Sequence, residues 1–382
     1  MRVRAMQRLI KRDVQPRAIV PPMPGADTVG DAADTRAAAR TWWRPLRAVV
    51  GVAGLMLCGG LLWQSIEPSR LWTALCHASF DRLLWAALLN LTLNLAVRIE
   101  RWRLLLGRLL VLPAPLHSGA GSLSQARRPQ PLSRGQLWRL YLAHLAANNL
   151  LPARAGEALR VVLPSRWAGY AVSDLVAVLL VEKAIEVLSM AGLSAGLLAL
   201  ASPPPALAQP LRLTLALGLV LLLLVLSLWA GVARRGQVGA AIGGRVQGFV
   251  RRLIRALGLL HTLRLWAVAL FWSLLSIAAD VGMIGLCLSA VGCSLSPLHW
   301  LLVFFAINLA IALPVTPGQV GVLEAGAVVA LSLLGVGASE GLAFALLYHA
   351  CHVIPTTLLG GLSLWRLSRG ERASGVSQSG GL

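Results

Sequence analysis

The feature that most constrains this chain is a series of apolar runs too long for the interior of a soluble domain. Leu175–Leu200, Leu211–Val232, Leu265–Ala290 and Leu342–Leu364 are each at least 22 residues long. At a rise of 1.5 Å per residue, about 20 residues cross a hydrocarbon core. Lipid offers no hydrogen bonds, so each run must satisfy its own backbone as a helix. A β-barrel would show short alternating segments instead. Hydrophobic residues make up 57% of the 382-residue sequence and charged residues 13%, against about 25% charged in soluble domains.

The formal net charge is +20, carried almost wholly by arginine. Nucleic acid is not the expected partner, because no aromatic-rich basic fold accompanies the charge. The basic residues instead sort by loop. Nine lie in residues 1–45, six in 99–136, seven in 234–264 and three in 366–382. None lies in 201–210, 291–297 or 335–340. The positive-inside rule then places both termini in the cytoplasm and the chain in the cell inner (cytoplasmic) membrane as a multi-pass protein. The five cysteines have no paired spacing and read as small apolar helix residues.

Taken in order, residues 1–45 read as a disordered basic cytoplasmic tail, 46–368 as the transmembrane domain and 369–382 as a second disordered cytoplasmic tail. The first span is Leu46–Ile66. Leu71, Trp72, Leu75 and Phe80 form a short amphipathic piece for the interface. The second span, Leu83–Val97, carries Asn90, Asn94, Arg98 and Arg101 on one stripe about 80° wide. Residues 107–135 read as a basic Pro- and Gly-rich loop. In 234–264, Val246, Phe249, Leu253, Leu257 and Leu260 oppose Arg245, Arg251, Arg252 and Arg255 on a helical wheel. That pattern suits a helix lying on the anionic leaflet surface through residues 245–264.

Two stretches break the pattern. Asn148 to Arg160 holds Asn149, Pro152, Arg154, Gly156, Glu157 and Arg160, and Asn308 to Glu324 holds Pro314, Thr316, Pro317, Gly318, Gly321 and Glu324. Each carries Leu-Pro, three residues and then Gly, with a carboxylate beyond, and the two prolines stand 162 positions apart. The flanking helices, Gln136–Leu151, Leu298–Leu313 and Val320–Leu334, are too short to be ordinary spans. By the orientation above, the breaks enter from opposite faces, as in an inverted-repeat transporter. The expected fold is an all-α integral membrane protein, with about six full transmembrane helices plus two broken or re-entrant helix pairs in an inverted-repeat-like arrangement. Broken backbone at membrane depth needs cover from protein or water, so the breaks should line a cavity.

The second break reads as a helix start, with Thr316 as N-cap, Pro317 at N1 and Gln319 at N3 of a capping box. Free N–H groups and the dipole there favour an anion such as a lipid phosphate. Glu324, two turns into that helix, would pair with an arginine or bind a cation or proton. A plain Pro-Gly packing kink is the alternative. In the first break Arg154 and Arg160 suit a phosphate, and Glu157 and Arg160 suit an ion pair. Glu182, Lys183 and Glu186 in the third span are expected to face the interior, either as a self-neutralising cluster or linked to Arg154 or Arg160. Asp280 is an isolated intramembrane acid. His349 and His352 read as packing or helix–helix hydrogen bonding, since two histidines are too few for a metal site. No catalytic residue, metal site or cofactor is expected.

Asn149 to Arg160 resembles the Asn-x-x-Pro-x-Arg-x-Gly-Glu-x-x-Arg segment of the lysylphosphatidylglycerol synthase transmembrane family. These are flippase-like membrane proteins related to the membrane half of the multiple peptide resistance factor. Pro314 to Glu324 is similar to that family's Pro-x-x-Pro-Gly-Gly-x-Gly-x-x-Glu segment, with Gln319 in place of the second Gly. Arg101-Trp102-Arg103-Leu104-Leu105 resembles its Arg-Trp segment and Glu182-Lys183 its acidic position. The resemblance covers residues 46–368. It implies translocation of a membrane lipid, either a phospholipid or a polyprenyl-phosphate-linked lipid with an anionic or glycosylated head group. It also implies that Arg101, Asn149, Pro152, Arg154, Gly156, Glu157, Arg160, Glu182 and the Pro314–Glu324 set line its path. Sixteen residues follow Arg366, so the chain is not expected to carry the aminoacyl-transfer domain or to be an enzyme. The alternatives are an intramembrane transferase on a polyprenyl- or phospholipid and a non-transporting envelope scaffold. A homo-oligomer stays open.

Overall fold

The computed structural model describes residue 60 and residues 66–110, 129–151, 154–235, 263–312 and 316–377. The tail expected over 1–45, nearly all of the first span and all but the last two residues of the leaflet helix expected over 245–264 lie outside them, as do Pro152 and Pro314. All regular structure among the described residues is helical.

A short helix α1 (Pro68–Cys76) leads to α2 (Phe80–Leu109). Then come α3 (Arg134–Leu150), α4 (Glu157–Ala168), α5 (Val172–Leu200) and α6 (Pro205–Arg235). The second half holds α7 (Leu263–Ala290), α8 (Pro297–Ala310), a 3₁₀ turn (Pro317–Gln319), α9 (Val322–Leu333) and α10 (Ala338–Ser377). Among the described residues, four segments are long and apolar enough to cross a membrane: Phe80–Leu109, Pro205–Ser227, Arg264–Ala290 and Ala338–Leu367. Helix α5 is 29 residues long, but Asp174, Glu182, Lys183 and Glu186 interrupt its apolar character. Apolar side chains of α6 such as Leu217, Leu219, Val220 and Leu223 are exposed, as a lipid-facing helix requires.

Helix α2 departs from the expected second span. It does not stop at Val97 but continues through Arg98, Arg101 and Arg103 to Leu109. Partners from other helices neutralise two of these arginines, as described below. Asn90–Asn94 forms a π turn inside α2, a distortion often found at functional sites. At the other end of the chain, residues 369–377, expected to be unstructured, continue α10. There Arg369 lies 3.9 Å above the Trp365 ring, a cation–π contact at i,i+4 spacing that supports the extra turns.

Among the described residues, the two larger of three apolar cores hold most of the bundle. One gathers Ile99, Trp102 and Leu105 of α2, Leu137, Leu140 and Tyr141 of α3, and Val178, Val181 and Ile185 of α5. The other gathers Met283 and Ile284 of α7, Val303 and Phe304 of α8, Leu331 of α9, and Phe344 and Ala345 of α10. Helix α3 packs along α10 and α5 along α6. Small residues permit both approaches: Gly360 faces the Leu142 carbonyl and Ala146, and Gly218 faces Ala191. In lipid, such close backbone packing replaces the hydrophobic drive available in water.

Candidate functional site at the two helix breaks

Helix α3 begins at a capping box. The Ser133 hydroxyl accepts from the Gln136 amide, and the Gln136 side chain accepts from the Ser133 amide. It runs to Leu150, where the first break starts. The break is tight. A β-carbon on Gly156 would overlap the His144 carbonyl and crowd Asn148, so only glycine lets the start of α4 lie against α3. Arg154 sits in the left-handed region at φ 51°. Its Nη2 donates to the Ile311 carbonyl at 2.9 Å. Asn149 Nδ2 donates to the hydroxyls of Thr356 at 3.3 Å and Thr357 at 2.9 Å, tying the end of α3 to α10.

The second break corrects the expected helix start. Thr316 does not cap Gln319. Its hydroxyl donates to the Val320 carbonyl at 2.9 Å. The chain turns three times through positive φ, at Gly318 (61°), Gln319 (65°) and Gly321 (84°), so α9 opens only at Val322. Glu324 therefore lies in the first turn, not two turns inside. Its Oε2 accepts from the Gly321 amide at 2.6 Å and takes up an N–H that would otherwise face a ligand. The Thr-x-x-Gln pattern competed with Gly-x-x-Glu, and the glycines decided the outcome because they alone adopt φ near +60° to +85° at low cost.

The two breaks touch. A β-carbon on Gly318 would lie 3.0 Å from the Asn149 carbonyl oxygen. Asn149, Arg154, Gly156, Thr316, Pro317, Gly318, Gly321 and Glu324 thus belong to the pair of facing breaks, although their two groups are separated widely in sequence. His349 of α10 joins them. Its Nδ1 is 2.5 Å from Glu324 Oε1 and its Nε2 is 2.9 Å from the Gly318 carbonyl. The sequence suggested a helix–helix hydrogen bond for this histidine but not the partner.

Arg101, Glu157, Arg160 and Glu182 come together in a separate layer of buried charge. Glu182 is only 2% exposed and accepts from Arg101 Nη2 at 2.8 Å and Arg160 Nη2 at 2.5 Å. Arg101 also reaches Glu186 at 2.9 Å and the Ser273 hydroxyl at 2.8 Å. Arg160 lies 4.7 Å from the Trp102 ring centre and 5.2 Å from that of Tyr141, and it is 3.5 Å from Glu157. Lys183 bridges outward to Glu186 at 2.9 Å. The acidic cluster does link to Arg160. Arg154, the other arginine offered as its partner, is held on the Ile311 carbonyl.

A second polar knot answers the isolated acid of α7. Asp280 accepts from Asn94 at 2.6 Å and Arg98 at 2.8 Å. Asn94 Oδ1 accepts from the Ser276 hydroxyl at 2.9 Å and from Arg98 Nε at 2.9 Å. These contacts explain the polar stripe on α2: it faces α7 and α5 and, through Asn90 on the Cys351 and His352 carbonyls, α10. Arg98, Asp280 and His349 were not among the expected site residues. The stripe pointed to Arg98, whereas nothing near His349 in sequence announces Glu324. Among the described residues, no three His, Cys, Asp or Glu side chains are grouped as metal ligands would be.

The geometry is a membrane-embedded helical bundle with two facing breaks and a neutralised charge layer beside them. The model of the family described as the lysylphosphatidylglycerol synthase TM region matches residues 48–360. No curated protein matches the chain. The family match spans most of the sequence, including both breaks, and the chain belongs to the lysylphosphatidylglycerol synthase transmembrane family.

Proposed function

We propose that this protein is a flippase for a lipid or lipid-linked precursor in the cytoplasmic membrane, with both termini on the cytoplasmic side. The lipid would carry an anionic or glycosylated head group. The observation that carries this reading is the meeting of the two breaks, where Gly318 lies against Asn149 and Arg154 reaches the Ile311 carbonyl. Irregular backbone at membrane depth is tolerated where it is covered by protein or lines a path. Facing discontinuous helices are the usual substrate site of transporters with inverted repeats.

Arg160 is committed to Glu182 and buried. Attraction of a phosphate therefore falls to Arg154, whose partner among the described residues is a carbonyl that water or a phosphate can replace. Glu157, a quarter exposed, is the member of the charge layer next to the first break and would shape access. The test begins with mass spectrometry of the lipid that co-purifies with the protein. Movement of that lipid is then followed in reconstituted vesicles for the natural protein and for Arg154→Ala, Glu157→Ala and Glu324→Ala. The expected result is movement by the natural protein and a reduction of about tenfold or more in folded variants. Undiminished movement by all three variants contradicts the reading.

A further inference from the structure

His349 bridges two groups that both act as acceptors in their ordinary states. A carbonyl oxygen only accepts hydrogen bonds, so the Nε2 facing Gly318 at 2.9 Å carries a hydrogen. The other ring nitrogen, Nδ1, stands 2.5 Å from Glu324 Oε1. If Glu324 is a carboxylate, Nδ1 must also carry a hydrogen, and the ring is an imidazolium. If the ring is neutral, the hydrogen belongs to the Glu324 carboxyl and Nδ1 accepts it. Both arrangements contain the same number of protons, one more than a carboxylate with a neutral imidazole.

The remaining Glu324 oxygen accepts from the Gly321 amide at 2.6 Å. The pair therefore grips the second break at two points, the Gly318 carbonyl and the Gly321 amide. Gly318 is also the residue that abuts Asn149 of the first break. We infer that Glu324 and His349 form a proton-binding site whose occupancy clamps the second break against the first.

Losing the proton leaves one hydrogen for two acceptors. A neutral ring that keeps Nε2–H bonded to Gly318 faces the Glu324 carboxylate with a bare Nδ1. A ring that moves its hydrogen to Nδ1 faces the Gly318 carbonyl with a bare Nε2. Either way one acceptor–acceptor contact below 3 Å must open. The proton passes to water and no other group changes. The segment best able to yield is the turn itself, where Gly318 and Gly321 supply backbone freedom. The inference goes beyond lipid movement and stands on the hydrogen-bond count. Where lipid does move, the step that parts the breaks would be linked to one proton.

The other ionisable groups of the neighbourhood are few. His352 and Tyr348 lie on α10, with ring centres 6.3 Å apart. Arg154 enters from the first break onto the Ile311 carbonyl. Neither His352 nor Tyr348 donates to the turn among the hydrogen bonds of the described residues.

Hydrogen exchange read by mass spectrometry on the full-length protein in lipid nanodiscs tests this. The peptide of interest contains residues 316–324, and rates are corrected for the intrinsic pH dependence of exchange. In the natural protein, protection should fall by about tenfold per unit rise in pH across the range where opening of the turn releases the single linked proton. Glu324→Gln imitates the protonated carboxyl, since its amide donates to Nδ1 and its oxygen accepts from Gly321. It should keep the peptide protected at every pH. His352→Gln should retain the natural profile. Protection independent of pH in the natural protein overturns the inference, as does a Glu324→Gln variant that keeps the natural dependence. Neither result bears on whether the chain moves lipid, which the vesicle experiment decides separately.

Discussion

Arg154 Nη2 lies 2.9 Å from the Ile311 carbonyl oxygen, so a guanidinium from the first break covers the C-terminal end of the helix that leads into the second. The negative end of a helix dipole favours a cation there. Arg154 makes this contact from φ 51°, a region that costs a non-glycine residue about 1–2 kcal/mol. The interaction is held against backbone strain.

Two substitutions separate these terms. Arg154→Ala loses the hydrogen bond, keeps the strain, and should destabilise the protein by about 1–3 kcal/mol. Arg154→Gly loses the same bond but relaxes the backbone, and should melt above Arg154→Ala by an amount equivalent to about 1 kcal/mol. Thermal unfolding in detergent measures both. Equal melting temperatures for the two variants would remove the strain from the account.

Gln319 gives the opposite case. It holds φ 65° where the resembled family segment carries glycine. Gln319→Gly should therefore stabilise the protein by about 1 kcal/mol, less the entropy glycine regains when unfolded. A clear drop in melting temperature would show that the Gln319 side chain carries a contact of its own.

Glu182 and Glu186 stand one helical turn apart but should differ sharply. Glu182 is 2% exposed and holds two arginines, while Glu186 is 38% exposed. Replacing Glu182 by Leu strands Arg101 and Arg160 without their shared counter-charge and should cost about 3–5 kcal/mol. Replacing Glu186 by Leu leaves Arg101 paired and should cost no more than about 1 kcal/mol. The comparison of folded yield and melting temperature reads the difference, and similar losses would contradict the layering of charge seen here.

Much of the architecture was legible before the structure, for physical reasons that differ by element. The apolar runs of α5, α6, α7 and α10 announced themselves because each is long enough to cross lipid. The breaks did too, because Pro, Gly and charge cannot continue a lipid-facing helix. The end of α2 did not. Arg98 and Arg101 read as the close of a span because their partners lie 182 and 81 positions away, at Asp280 and Glu182. A local sequence window registers such charges as unpaired. Helix α9 starts later than the Thr-x-x-Gln pattern predicts, because the Glu324 carboxylate reaches back to the Gly321 amide. For His349 the sequence offers packing or a helix–helix hydrogen bond but no partner, because Glu324 lies 25 positions earlier on another helix.

The proposed orientation has its own check. Six basic residues lie in 99–136 and none in 291–297, so the charge bias should keep the C-terminus in the cytoplasm. A green fluorescent reporter fused after Leu382 should fluoresce, and alkaline phosphatase fused there should be inactive. The reverse pattern would invert the topology and with it the faces from which the breaks enter.

The most direct measurement for the account as a whole is the movement of a head-group-labelled anionic phospholipid across vesicles containing the purified protein. Protein-free vesicles and Arg154→Ala vesicles serve as comparisons. The account predicts that the natural protein exposes inner-leaflet lipid to an external quencher well above the protein-free rate, and that Arg154→Ala reduces that rate about tenfold, the equivalent of about 1.4 kcal/mol in the barrier. Natural protein that leaves the inner leaflet as protected as empty vesicles do, across anionic, zwitterionic and polyprenyl-phosphate lipids, would contradict it.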